Sequence, residues 1–239
     1  MARHDFHPLT VAGVQALTED SAAVTFTVPE GLRAQFAFAA GQSLTVRLGD
    51  ERRTYSICAP AGAAPRIGVR ELAGGAVSGR LVHELRAGDV LDVQAPSGTF
   101  SPDTTVAAEH VLIAAGSGIT PVLSIAASVL QGNPGSTVTL VYGNRRSDSV
   151  MFADEVADLK DAFPARVQLV HVLSREPQEV ELFSGRLDAA KLRALLPVTV
   201  DVGAVDHWWL CGPFGMVTDA VEVLGELGVD PASVHRELF

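Results

Sequence analysis

Arg53-Thr54-Tyr55-Ser56 brings a guanidinium, a flat phenol and a hydroxyl together in one short β-prone run. Alternation along a strand puts Arg53 and Tyr55 on one face, while Ser56 turns to the other or ends the strand. An arginine forks onto phosphate oxygens, and a tyrosine offers a ring face and a hydroxyl suited to a flavin ring. Taken alone, such a tetrad is more often an ordinary half-exposed strand. Glycines mark two further places. The apolar run from Val111 to Ala115 leads through Gly116-Ser117-Gly118 into Ile119-Thr120-Pro121. Pro121 suits the first turn of a helix, and the N–H groups and positive dipole end of that helix would receive a pyrophosphate that bare glycine backbone lets close. This is GxGxTP rather than the full GxGxxG, and such a turn also forms simply to pack a helix on a strand. Gly74-Gly75-Ala76-Val77-Ser78 opens a second helix as another phosphate seat, the alternative being a hairpin turn with Ser78 as N-cap.

Two different element rhythms hold these residues. Over the first hundred positions, β-rich segments at about 9–16, 22–28, 44–48, 52–58, 66–71 and 90–94 are cut by Gly41-Gln42, Gly49-Asp50, Gly74-Gly75 and Gly88-Asp89. The intervals are too short for repeated crossover helices, so the spacing predicts a six-stranded antiparallel barrel with one helix near Ser78–Leu85. From about Val106, buried strands at 111–115, 138–142, 167–173 and 207–211 alternate with helical patterns, which predicts a Rossmann-like parallel sheet. Phe152, Val156, Leu159 and Phe163 fall on one helix face, opposite Asp154, Asp158 and Asp161. Pro102-Asp103-Thr104-Thr105 reads as the linker, dividing the chain into 1–103 and 104–239.

Composition removes several classes. A chain of 239 residues with 47% hydrophobic side chains buries a real core. With 18 Lys+Arg against 28 Asp+Glu, its formal charge of −10 argues against general nucleic-acid or anionic-membrane binding. Cys58 and Cys211 stand far apart, so no zinc or iron–sulfur site is predicted within the chain. His83, His110, His171, His207 and His235 lack ligand spacing, and each is expected to be a satisfied structural or surface histidine. Trp208-Trp209 reads as core packing and sheet-edge cover. No apolar run reaches the length of a membrane span and no signal-peptide core follows Met1, so a cytoplasmic location is expected.

Order and spacing together say more than any motif alone. Arg53-Thr54-Tyr55-Ser56, Gly75-Ala76-Val77-Ser78, Pro96-Ser97-Gly98-Thr99-Phe100, Gly116-Ser117-Gly118-Ile119-Thr120-Pro121 and Cys211-Gly212-Pro213 follow one another in the order of the ferredoxin–NADP reductase family, which the chain resembles along essentially its whole length. Tyr142-Gly143-Asn144-Arg145-Arg146, Val150-Met151-Phe152 and His171-Val172-Leu173-Ser174-Arg175-Glu176 look most like reductase components of bacterial multicomponent oxygenases, of the phenylacetyl-CoA oxygenase type.

The resemblance implies an FAD-binding barrel followed by a nicotinamide-nucleotide domain, the cofactors meeting between them. Arg53 would hold the FAD pyrophosphate with Thr54 beside it, Tyr55 would pack on the isoalloxazine, and Ser56 would lie near flavin N5. Gly75, Ala76, Val77 and Ser78 would bind the FAD pyrophosphate, and Gly116, Gly118 and Thr120 the phosphates of the nicotinamide cofactor. Cys211 would sit near the nicotinamide, with Gly212 and Pro213 shaping the loop. Arg145, Ser174 and Arg175 resemble a 2′-phosphate site, which favours NADPH over NADH. The alternatives are a solvated arginine pair and a Glu176 that neutralises Arg175. The last strand would place Phe239 over the flavin and Glu237 near the nicotinamide, unless it is a plain exposed edge. Such reductases usually carry a [2Fe–2S] domain after this module, so the resemblance implies either a missing C-terminal segment, which is favoured, or a separate ferredoxin, with an oxygenase component beyond it. A stand-alone ferredoxin or flavodoxin reductase and a flavin-binding regulatory module are the competing readings.

Overall fold

Alternating apolar residues drive the first half of the chain into antiparallel strands. The computed structural model describes residues 5–238. Strands β1 (Phe6–Thr18), β2 (Ser21–Thr27), β3 (Ser43–Leu48), β4 (Glu51–Ser56), β5 (Arg66–Arg70) and β6 (Val90–Gln94) form one sheet in the order β4-β3-β6-β1-β2-β5. Its two ends approach at an antiparallel bridge between Ile57 and Ile67, so the sheet rolls into the expected barrel. Leu9, Val24, Phe26, Leu44, Val46, Ile67, Val69 and Val93 fill it. Helix α1 (Ala76–His83) starts two residues earlier than expected, because Gly75 stands at its N-cap.

The second half is a parallel five-stranded sheet. Strands β7 (Glu109–Ala115), β8 (Thr137–Asn144), β9 (Val167–Leu173), β10 (His207–Gly212) and β11 (Val234–Leu238) run in the order β11-β10-β7-β8-β9. Helices α2 (Ile119–Gly132), α3 (Ala153–Ala162), α4 (Ala189–Thr199) and α5 (Phe214–Glu226) cover it. The interior strands are apolar on both faces, as burial between helix layers requires. One face packs on α4 and α5. The other packs on α2 and α3 in a core that also takes in Ala23, Ala40, Cys58 and Phe100 of the barrel.

Three local expectations change. Phe152 and Phe163 flank α3 as its cap residues rather than lying within it; Phe152 takes a left-handed backbone, φ 58 and ψ 33. Trp208 and Trp209 are core residues, yet β10 has a neighbour on each side, so they cover no sheet edge. Parallel register brings His207 beside His110 and His235 beside Trp209. There His110 Nδ1 accepts from Trp209 Nε1 at 3.3 Å and Trp209 stacks on His235 at 4.1 Å, a packing role.

Candidate active site

Parallel strands end together, and the loops beyond their C-terminal ends collect the charged and glycine-rich residues. At that end β7 breaks at Gly116, whose φ of +56 suits glycine and whose missing side chain leaves only Arg70 Nη1 nearby, 3.3 Å from where a β-carbon would be. Gly118 has the other use: a β-carbon there would stand 2.1 Å from the Cys211 carbonyl oxygen, so its smallness lets the turn close on β10. Thr120 is buried, and its hydroxyl donates to the Ser117 carbonyl at 2.8 Å. The Ile119 N–H is taken by the Gly116 and Ser117 carbonyls and Pro121 has none, so what this loop leaves open is the bare glycine backbone at Gly116, ahead of the positive dipole end of α2. Tyr142 beneath it holds its hydroxyl within 3.0 Å of the Gly116 carbonyl.

Next to that loop, β8 and β9 deliver Arg145 and Arg175 side by side, joined by an Arg175 N–H to Arg145 carbonyl bond of 2.8 Å. Ser174 precedes them and donates its N–H to the Asn144 carbonyl at 2.9 Å. Both guanidiniums are exposed and have no ion-pair partner among the described residues. Glu176 does not neutralise Arg175: its carboxylate accepts from the Ser147 N–H and hydroxyl, both at 2.9 Å, and those bonds hold it below the usual carboxylate range. At the same strand ends, both amide atoms of Asn144 are buried without a hydrogen-bond partner among the described residues.

On the barrel, Arg53 and Tyr55 share one face of β4. Arg53 is exposed and pairs with Glu51 at 2.7 Å. Surface pairs of this kind contribute at most about 1 kcal/mol, so a phosphate could displace Glu51. Thr54 lies on the opposite face, its hydroxyl 3.0 Å from that of Thr45. Tyr55 is half-buried, and burial pushes its phenol up to about 12 against the pull of Arg53. Gly75 caps α1, leaving the N–H groups of Ala76, Val77 and Ser78 without intrahelical acceptors. The Ser78 hydroxyl is engaged with its own loop, accepting from the Leu72 N–H at 3.0 Å and donating to the Gly75 carbonyl at 3.2 Å.

The two halves meet at Ser56. Its hydroxyl is buried and donates to Glu237 Oε1 at 3.1 Å, joining residues 181 apart in sequence. Burial raises the Glu237 carboxyl while the Ser56 bond pulls it down. Register places Cys211 directly beside Glu237. Burial, then the Glu237 charge, pushes the Cys211 thiol up, so it stays protonated. Gly212 must be small, since a β-carbon there would lie 2.8 Å from Met216 Cε and 3.2 Å from the Ala115 N–H nitrogen; Pro213 then caps α5. Phe239 lies outside the described residues. Arg70 was not foreseen, because an arginine ending a barrel strand carries no local signal until the other half docks against it.

The donor set fits dinucleotides on both halves: the open start of α1, the bare glycine backbone ahead of α2, exposed guanidiniums and an aromatic face. Comparison with known proteins agrees. Residues 8–101 match the oxidoreductase FAD-binding domain and residues 112–222 the oxidoreductase NAD-binding domain. The chain is 40% identical to one of the subunits of the 1,2-phenylacetyl-CoA epoxidase of Escherichia coli, over 98% of its own length and 68% of the relative's. Among solved structures, the FAD/NAD-binding domain of a nitric oxide dioxygenase from Vibrio cholerae superimposes with a TM-score of 0.83 at 26% identity, covering 99% of each chain. Phthalate dioxygenase reductase, described as a modular structure for electron transfer from pyridine nucleotides to [2Fe–2S], does so with a TM-score of 0.75 at 25% identity, covering 98% of this chain and 68% of that one. The chain spans about two thirds of the length of the curated oxygenase reductases it matches.

Proposed function

The chain belongs to the ferredoxin–NADP reductase family of FAD- and NAD-binding oxidoreductases, and on that footing we propose that it takes hydride from NADPH and passes electrons singly to an iron–sulfur centre serving an oxygenase. FAD, when bound, supplies the chemistry that accepts a hydride's two electrons and releases them one at a time. The chain's own residues bind, orient and exclude water.

Residues 1–103 form the flavin half and 104–239 the nucleotide half. Arg53, with Thr54 beside it in the strand, and the N–H groups of Ala76, Val77 and Ser78, on the helix that Gly75 caps, hold the FAD pyrophosphate, the Gly75 N–H being taken by the Leu72 carbonyl at 2.8 Å, and Tyr55 packs on the ring system. Gly116, Gly118 and Thr120 shape the nucleotide's pyrophosphate site, Gly118 and Thr120 by letting the turn close. Cys211, Gly212 and Pro213 form the nicotinamide wall. The observation that carries this reading is the Ser56–Glu237 hydrogen bond, with Cys211 beside Glu237, where the two nucleotide-binding halves touch. Ser56 and Glu237 are there to orient the reacting rings and hold a proton, and Cys211 to pack against them.

NADPH is favoured because Arg145 and Arg175 stand exposed together near Ser174, while Glu176 is committed to Ser147. The electron acceptor is a [2Fe–2S] domain or a separate ferredoxin, with the oxygenase beyond it. We place the protein in the cytoplasm; no helix among the described residues is long and apolar enough to cross a membrane.

The test is the visible spectrum of the FAD-loaded protein, anaerobically, before and after one equivalent of NADPH or NADH. Faster bleaching with NADPH supports the whole reading. Equal or faster bleaching with NADH keeps the reductase and removes the 2′-phosphate site. A protein that takes up no FAD overturns the assignment of Arg53 to Ser56.

A further inference from the structure

Strand β5 is one of the places where the barrel meets the nucleotide half. Its odd-facing residues Ile67 and Val69 are wholly buried in the barrel core, while Arg66, Gly68 and Arg70 look outward. Each of those three touches the other half. Arg66 pairs with Glu155 at 2.9 Å and lies over the Phe152 ring, 5.3 Å from its centroid. Arg70 donates to the Ser149 carbonyl at 2.8 Å. Gly68 between them faces the Phe152 ring so closely that a β-carbon would lie 2.9 Å from Cε2 and Cζ, and 3.0 Å from the Thr120 γ-methyl.

Phe152 is unusual in its own right. It is the one non-glycine among the described residues with positive φ, 58, and it is 1% exposed. A bulky residue avoids this conformation unless its surroundings impose it, and such strain gathers where geometry matters. With this left-handed backbone its ring lies in the notch that Gly68 leaves. Thr120, the second wall of that notch, belongs to the first turn of α2, the helix end that takes the nucleotide's phosphates. The spacing of Gly68 from Phe152 and Thr120 is therefore the spacing between the flavin barrel and the nucleotide loop.

We propose that Gly68 and Phe152 form a positioning notch that sets the separation of the two cofactor-binding halves for hydride transfer. The proposal rests on the reductase reading. Neither residue needs to touch a cofactor; both act through the docking of β5 on the start of α2 and α3. A single methyl at Gly68 would push the seam apart, and a smaller side chain at Phe152 would give the space back.

The experiment uses the full FAD-loaded chain with Gly68→Ala, Phe152→Leu and the double variant. Three readouts are taken: the stopped-flow rate of FAD reduction at saturating NADPH, NADP⁺ affinity by titration, and the long-wavelength charge-transfer absorbance of the nicotinamide–flavin pair. Because donor–acceptor placement is steep in distance, Gly68→Ala should slow reduction at least about tenfold and weaken the charge-transfer band. Its NADP⁺ affinity should stay within about threefold of wild type, the split expected when only the reacting geometry is lost. The double variant should recover most of the rate and the band, as coupled contacts do. Wild-type rate and band in Gly68→Ala, or no recovery in the double variant, would overturn the proposal. Should Gly68→Ala not fold, amide hydrogen exchange of Phe152→Leu without FAD decides: faster exchange in β5 and at the start of α3 supports the notch, and wild-type exchange refutes it. If wild-type FAD is reduced by neither nucleotide, the reductase reading fails, while the exchange comparison still reports on the notch.

Discussion

Arg145 and Arg175 are adjacent in space because two parallel strands end side by side, and each leaves a guanidinium in solvent. Charge-assisted bonds to a phosphate are about twice as strong as neutral ones, so replacing either arginine by alanine should raise KM for NADPH roughly tenfold and leave NADH use nearly unchanged. Steady-state kinetics with both nucleotides check this; equal losses for both would place the arginines elsewhere. Glu237 makes a pH prediction. Burial raises its carboxyl in the folded chain, so the folded state retains a proton that the unfolded chain has released. Stability is then fullest below the unfolded value and declines as pH rises through the folded one. Glu237→Gln should flatten that decline in Tm measured from the carboxylate range to neutrality. An unchanged slope would mean that burial of this carboxyl costs nothing. These residue types were legible in the sequence, but the engagement of the Ser78 hydroxyl with its own loop was not, because Leu72 and Gly75 become its partners only when that loop folds back.

Helix α2 carries the proposed nucleotide-phosphate site at one end, and its other end is tied down by a side chain. Arg166 does this, donating to the carbonyl of Leu130 in the last turn at 3.0 Å, to that of the C-cap Asn133 at 3.0 Å and to that of Ser136 in the following loop at 3.2 Å. Arg166→Ala should lower unfolding free energy by about 1–2 kcal/mol in urea titrations while leaving nucleotide affinity alone. No loss would mean that water satisfies those carbonyls equally well. Most elements were readable from periodicity, since alternating and 3.6-residue patterns reflect one-sided burial. Cap positions were less so: Phe152 continues the apolar spacing of α3, yet its ring is claimed by the barrel and its backbone leaves the helix.

The molecule holds its halves together through buried polar contacts as well as apolar ones. Ser124, fully buried on α2, donates to the Ala59 carbonyl at 2.6 Å, and Ser128 accepts from the Ala61 N–H at 2.9 Å. Ser124→Ala would leave the Ala59 carbonyl unsatisfied, so stability should fall by about 1–3 kcal/mol. The shared core implies that both halves still melt in one transition, seen as coincident near- and far-ultraviolet circular dichroism curves. Two separate transitions would show that the seam carries little of the stability.

What the sequence determined by itself was local: a barrel rhythm followed by an α/β rhythm, and an ordered series of glycine-to-helix and strand motifs in the order of a known family. Those signals survive in one dimension because strand alternation, helix periodicity and glycine-to-helix turns are properties of neighbours along the chain. Tertiary structure alone decided the rest: that Gly118 serves packing while Gly116 stays open, that Ser56 meets Glu237, that Glu176 turns to Ser147, and that Arg66, Gly68 and Arg70 form the seam. Each depends on a partner far away in sequence, and no local pattern records a contact whose two sides are brought together only when the halves dock.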